Sequence, residues 1–540
     1  MKRKIFLTLT LTILLSTLLY MKFISTNPAN ATKTTIQLLW TNPMQVHDVA
    51  VSADGNYLAA VNNTGLYYFD VDSPNPIWSY QPEVDTLLSV AISADGDYVV
   101  AGDTNGYLHY FNQSTQRTGS QTTPTWTSIG MGPGPVEKGT LDMSANGNYT
   151  VVGGTGISIW YYAGCTARTG SGQTPTWTYT AGVIDYRTVH ISPNGKYVAG
   201  GGTGYVGGFV IFFKDADTLE GTPSPTWMSQ SQLPSLITEL ALSDDGYAVA
   251  AIDEGPIPST LYYWANATNL IGDPDPTWTN LGSFSCVDIS GNGDAVVTGG
   301  IYLTSVHYWA NARTREGTQT EDWVNLTEIN IYDVAISKDG SIMAVPTMDP
   351  LSDDYSAYFL TADSNIIGNI TLPELAKMVS MSTAGTTVAM AGPGYDSLYL
   401  FKIETDSTPP SINDVYQQPD KNNVYPTDMV IVFANVTDDQ SGVKQVTLNY
   451  TTGNGTWFTQ TMEFYISDIW NTTIPAFPYC TTITYIIIAE DNANNIRTTE
   501  GMGFALSYHV IPEYTLPTLM LLLTPATLLP TVAYKRKRKQ

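Results

Sequence analysis

Along most of the chain, short apolar runs alternate with small polar turns, and the runs are rich in Val, Tyr, Thr and Trp. Runs of that length and composition predict β-strands rather than helices. The pattern is clearest from Ser89 to Gly102 (SVAISADGDYVVAG), where two apolar runs flank Ser93-Ala94-Asp95-Gly96. It recurs eight times, with turn glycines at Gly55, Gly96, Gly147, Gly195, Gly246, Gly293, Gly340 and Gly385, spaced 41 to 51 residues apart. A β-type period in the forties predicts propeller blades. Each copy keeps a serine: Ser52, Ser93, Ser144, Ser192, Ser243, Ser290, Ser337 and Ser382. A catalytic nucleophile is needed once, so eight serines beside Asp/Asn-Gly pairs predict a repeated tight turn.

Each repeat reads as four strands. In the second copy these are SVAIS, YVVAG, GYLHYFN and PTWTSIG. The fourth strand carries a Pro-x-Trp signal at Trp78, Trp126, Trp177, Trp227 and Trp278, with Trp323 following an acidic variant. The seventh copy has IIGNITL there, without Trp, and the eighth stops after its third strand, Ser397 to Ile403. Thr34 to Pro43 precedes the first copy and contains Trp40, so it supplies the missing strand. That offset closes a ring and removes free sheet edges. The expected fold is all-β: an eight-bladed β-propeller over 32–403, a linker over 404–411 and a β-sandwich over 412–511.

Leu66 to Tyr80 (LYYFDVDSPNPIWSY) resembles the Trp-containing blade motif of WD40-like and quinoprotein-like propellers. The resemblance covers residues 34–403 and implies the fold; it says little of activity, because propellers host many functions. After Glu404 the period shortens to a turn signal about every ten residues, as in a sandwich. Asp438 to Val443, Gly455 to Trp457 and Ala489 to Asn495 resemble an immunoglobulin-like module of prokaryotic surface proteins. Asp438, Asp439, Glu490 and Asp491 read as turn and edge residues; the alternative is a calcium site of hard oxygen ligands.

The ends differ from the body. Lys2, Arg3 and Lys4 precede an apolar run from Ile5 to Met21 and a small-x-small site at Ala29-Asn30-Ala31, which predicts a signal peptide over 1–31, with an uncleaved anchor as the alternative. Tyr514 to Tyr534 carries no charge, and Lys535 to Lys539 follow it. This predicts a transmembrane anchor over 512–534 and a basic cytoplasmic tail over 535–540, with the bulk of the chain at the cell surface. The Pro-Glu-aromatic, apolar-run, basic-cluster ending resembles those of archaeal surface proteins, some of which are sorting signals. The formal net charge is −25, and eight of the 24 cationic residues lie at the two ends. Such an acidic body disfavours nucleic-acid binding. Three scattered cysteines, Cys165, Cys286 and Cys480, form neither a zinc site nor a disulfide framework, though one pair is open to them.

Candidate chemistry is sparse. The first strand of each blade lines the axis, and its residue four places before the turn Asp/Asn is small in Ala50, Ala91, Ala241, Ala335 and Ser380. It is polar in Asp142, His190 and Asp288, which read either as inter-blade hydrogen bonding or as an axial ion or ligand site. His109 and His307 share a third-strand position and read as packing. Neither vicinal cysteines nor a GxSxG, HExxH or P-loop pattern occurs. No cofactor is expected. Eleven Asn-x-Ser/Thr sequons include Asn112 and Asn148, beside a loop and a turn, as glycosylation candidates. The expected function is non-catalytic binding, adhesion or scaffolding at the cell envelope, toward an unidentified envelope protein or glycan. The loops before the fourth strands are the expected recognition surface. The alternative is an extracytoplasmic quinoprotein-like enzyme with its site on the axis.

Overall fold

The computed structural model describes residues 34–513, apart from residues 84, 121, 132–134, 155–157, 181–182, 206, 254–257, 302–303, 393–396, 407, 439–441, 454, 492–494 and 501–505. The expected leader 1–31, the anchor from residue 514 onward and the tail 535–540 lie outside them. Among the described residues no helix is long and apolar enough to cross a membrane. Thr35–Glu404 form one compact unit, and the described residues that follow belong to another.

The first unit is an eight-bladed propeller. In blade 4, Val183–Ile191, Val198–Gly204, Gly208–Phe213 and Trp227–Ser229 pair antiparallel in chain order. Blade 8 has Met378–Met381, Thr387–Ala391 and Leu398–Thr405, and takes Thr34–Asn42 as its outermost strand. Blades 6 and 7 are joined because Trp323–Ile331 pairs with Thr304–Trp309 and, through Asn330 and Ile331, with Ile342–Asp349.

The recurring residues are those that build the ring. Each turn glycine has positive φ, from 68° at Gly246 to 78° at Gly195. Every recurrent serine is buried and accepts the N–H five residues on, as Tyr197 N–H to Ser192 Oγ at 2.9 Å. In seven copies its hydroxyl also donates to the turn Asp or Asn, as Ser192 to Asn194 Oδ1 at 2.8 Å. These serines are structural.

The tryptophans are inter-blade pegs. Trp78, Trp126, Trp177, Trp227 and Trp278 donate their indole N–H to Ser114, Cys165, Ala216, Ala267 and Ala312 carbonyls of the next blade, at 2.8–3.0 Å. Trp323 reaches Ala362 of blade 7, and Trp40 reaches Val71 of blade 1. Each indole from Trp78 to Trp323 also stacks on an aromatic ring of its own blade, as Tyr161 on Trp177 with centroids 4.9 Å apart.

At the turn face the blades are tied by a backbone collar. Asp54 N–H donates to Ala94 O, Ala94 to Ala145, Ala145 to Pro193, Asp244 to Gly291, Gly291 to Lys338, Lys338 to Thr383, and Thr383 to Ala53, at 2.8–3.0 Å. The link from blade 4 to blade 5 is missing because Pro193 has no N–H. The collar returns to blade 1 after eight blades, which closes the ring.

The loops before the fourth strands, whose composition suggested a recognition surface, also tie neighbouring blades together. Gly119, Gly170, Gly221, Gly272 and Gly317, all with positive φ, pair in parallel with the Trp strand of the preceding blade. Arg117, Arg168 and Arg315 then tie each loop to itself: Arg117 donates to Asn112 O, Thr123 O and Thr125 Oγ1 at 2.8 Å. The arginines fix the loop conformation and the glycine pairing latches each loop to the preceding blade, while Gln113, Gln116, Thr118 and Ser120 stay exposed.

Among the described residues the second unit has eight strands, from Ser411–Gln418 to Ser507–His509, and no helix. Trp457–Ile466 pairs with Val443–Thr451 and, farther along, with Ile469–Ile474. Alternate residues of Val430–Thr437 and Thr482–Asp491 point inward, and Val430, Val432, Ala434, Leu448, Ile483 and Ile487 share one core. All three cysteines are unpaired; Cys165 and Cys286 are buried and Cys480 is exposed.

Candidate functional sites

The inner strands enclose an axial cavity of about 530 Å³ lined by Lys138, Asp142, Arg187, Thr188, His190, Glu239, Asp288, Asp333 and Lys338 among others. Successive inward residues on an inner strand are two apart, so the polar groups fall in two tiers. Asp142, His190 and Asp288 form one tier, as expected from sequence. The other lies two residues earlier on each strand: Asp48, Thr188, Glu239 and Asp333. The same count shifted by one inward position would have revealed it.

Most of these carboxylates bond to the next blade. Asp142 accepts Met143 N–H at 2.7 Å and Ile191 N–H of blade 4 at 2.9 Å. Asp288 accepts Ile289 N–H and, at 2.9 Å, Ile336 N–H of blade 7. Asp48 accepts Val49 N–H, Val90 N–H and the Ser89 hydroxyl, and Asp333 accepts Val334 and Val379 N–H. His190 is 3.5 Å from Asp142. Asp142 and Asp288 therefore serve as inter-blade acceptors while still facing the cavity.

Lys138 reaches Asp333 at 2.8 Å, and Lys338 reaches Asp244 at 2.8 Å across Gly291. A Cβ at Gly291 would stand 2.7 Å from Asp244 Oδ2, so glycine leaves room for that pair. Burial pushes the Asp48 carboxyl up to about 6, against the partial relief of Lys138 and its three hydrogen bonds. Burial also raises Asp288. Glu239 is raised by burial and then by Asp333, although it is half-buried by surface area because it borders the cavity.

A second cleft, of about 860 Å³, opens at the rim of blades 4 and 5, lined by Tyr205, Gln230, Ser231, Gln232, Leu233 and Asp273. Tyr205 is 74% exposed, and Gln230 N–H is held by Asp273 at 2.9 Å. An exposed ring beside amide groups suits a polar ligand with an apolar face. Nothing local in the sequence marked this cleft, because it joins two loops from different blades.

The other candidates are scattered. His109 of blade 2 bonds Asp103 of its own blade at 2.9 Å and Tyr80 of blade 1 at 3.1 Å. His307 is 3.5 Å from Glu321 in blade 6, and its pKa is lowered by burial. Asn112 Oδ1 accepts the Thr125 hydroxyl, and Asn148 Oδ1 accepts that of Thr166. In the second unit Asp438 and Asp491 meet Asp406, with carboxylate oxygens within 4.8 Å of one another. Glu490 is not part of that trio, being paired with Lys444 at 2.6 Å, and Asp439 lies outside the described residues. Asp406, Asp438 and Asp491 are the described residues with the donor set a calcium ion would take.

The ring, its collar and its pegs define the class: an eight-bladed β-propeller. No protein family matches the chain, and no curated protein matches it. Among solved structures it is similar to the C-terminal WD40 domain of Sif2, with 13% identity and a TM-score of 0.49, over 68% of this chain and 98% of that one.

Proposed function

We propose that this chain is an exported, membrane-anchored cell-surface protein whose propeller is a non-catalytic binding or scaffold module. Residues 412–511 form an immunoglobulin-like spacer between it and the anchor. The observation that carries the binding reading is the rim cleft, where Tyr205 stands exposed beside Gln230 and Gln232. The recurrent serines, tryptophans and loop arginines support it differently: each is occupied in holding the ring together. Recognition then falls to residues that do not recur, and the cleft suits a glycan, whose ring face stacks on tyrosine while its hydroxyls meet amides. The two charged ends flanking apolar runs support the anchored topology.

The test is a glycan array and an envelope pull-down with the whole chain, beside a cofactor analysis. A saturable glycan or envelope partner is expected, weakened about tenfold in Tyr205→Ala through the lost ring contact. A stoichiometric redox cofactor, or turnover abolished by Asp288→Asn, would replace the reading with the enzyme alternative. Protease added to intact cells should cut the propeller; full protection would refute the topology.

A further inference from the structure

The axial cavity is lined by the carboxylates of Asp142, Glu239, Asp288 and Asp333 and by Lys138, Arg187, Lys338 and His190. Lys138 is taken by Asp333, Lys338 by Asp244 at 2.8 Å each, and Arg187 by Asp185 at 2.9 Å. His190 stands 3.5 Å from Asp142. Among the described residues, Glu239 of blade 5 and Asp288 of blade 6 line the cavity with no cationic nitrogen in direct contact, Lys138 facing the first and Lys338 and His190 the second from farther off. On the adjoining blade 4, Thr188 lines the same cavity, is 2% exposed, and its buried hydroxyl has no hydrogen-bond partner. An unmet buried hydroxyl is costly unless something else completes it.

The ligand class follows from this inventory. Lys138, Lys338 and Arg187 each already face a carboxylate, which weakens the cavity's attraction for an anion. A bare metal ion needs several clustered oxygens, and among the described residues the carboxylate trio close enough for that is in the second unit, not here. An ammonium group has three N–H donors and no acceptor, which matches two carboxylates and a hydroxyl on three consecutive blades. A cavity of about 530 Å³ also leaves room for the carbon chain behind it. We propose that the propeller axis binds a ligand bearing a primary ammonium group, held by Glu239, Asp288 and Thr188.

The groups that face Glu239 are Lys138, Asp333, Asp288 and Cys286. Burial and Asp333 favour its protonated form, so an arriving ammonium displaces a proton and binding weakens as the pH falls. The pH profile is compared between wild type and Glu239→Gln to isolate the Glu239 contribution.

The experiment is calorimetric titration of the whole chain with n-butylamine, with n-butanol as the neutral control. A second arm uses Gly-Gly-Lys-Gly-Gly and its Nε-acetylated form. Saturable binding of butylamine but not butanol supports a free amine as ligand. Binding of the lysine peptide alone supports a partner's lysine side chain. In either case Glu239→Gln, which keeps an acceptor for Val287 N–H, should weaken binding about tenfold or more and flatten the pH profile, and Thr188→Val should weaken it by a smaller factor. No saturable heat in either arm, equal binding of butanol, or unchanged affinity in both variants overturns the proposal. Tyr205→Ala should leave amine binding unaltered, so failure of the rim cleft and failure of the axial site are separately visible.

Discussion

Blades 1 to 6 and the junction of blades 7 and 8 solve one packing problem in two ways. Each of the first six blades sends an indole into the next and stacks it on a ring of its own. Blade 7 has Ile366–Leu372 in that place. Its junction is filled by Phe359, Leu372, Met390 and Phe401, with Ile36 and Leu38 of the N-terminal strand against them. Gly368 allows this contact, since a Cβ there would stand 2.7 Å from Ile36 Cδ1. A hydrogen-bonded indole specifies one docking geometry, whereas apolar packing without a polar anchor tolerates adjustment. The strand from the far end of the chain thus meets blade 7 without an indole, through Ile36 and Leu38, and blade 1 with one, through Trp40.

That comparison is broken most severely by removing the strand. Deleting residues 34–41 takes away Trp40, Ile36 and Leu38 together, and should cost more than about 4–5 kcal/mol, enough to abolish a cooperative melt. Circular dichroism on heating checks this; an unchanged melting curve would place closure elsewhere.

Next in size is the peg. Trp177 is 1% exposed, between Tyr161 and Phe213, and bonds Ala216 O. Trp177→Ala should destabilise by about 3–5 kcal/mol. Half-buried Ile370→Ala in blade 7 should cost distinctly less, because fewer of its contacts are lost. Denaturant titration of both variants compares the two designs directly, and equal losses would erase the distinction between them.

Smaller again is a pH effect at corresponding inner-strand positions. Asp333 has Lys138 beside it, whereas Asp48 at the junction of blades 1 and 2 has no cation in contact. The Asp48 carboxyl is raised from 3.8 to about 6 in the fold, so the folded state holds a proton that the unfolded chain has released. This contribution to stability is full below about pH 4 and is lost as pH rises through about 6, by roughly 2–3 kcal/mol as an upper bound. Stability curves of wild type and Asp48→Asn between pH 4 and 7 should differ in slope in that window. Parallel curves would show that water in the axis screens the group.

The smallest expected change is in the turn. Ser192→Ala removes an acceptor for Tyr197 N–H and a donor to Asn194, and should cost about 1–2 kcal/mol. Ser382→Ala, whose hydroxyl has no Asp or Asn partner two residues on, should cost less, as melting curves of both would show.

Blade number, strand order and the offset of the first strand were legible in the chain because their signals are local and repeated: a turn glycine, a serine three residues before it, a tryptophan opening the fourth strand. The structural part played by the loops before those tryptophans was not legible, for a related reason. Their Thr, Ser, Gln and Arg residues resemble a solvated recognition surface, and composition cannot show that Arg117 folds back on Asn112 or that Gly119 pairs with Trp78. The axis was half legible. Asp142, His190 and Asp288 stood out against alanines in the same position, while Glu239, Asp333 and Thr188 sat one inward step away.

What the chain determined by itself was the repeat, since hydrogen-bonded turns and amphipathic strands depend on neighbours a few residues apart. What only the tertiary structure decided was which charges meet. Lys138 and Asp333 are 195 residues apart in sequence and 2.8 Å apart on the axis. Ring closure sets that distance, and with it which carboxylates are neutralised and which are left facing the cavity.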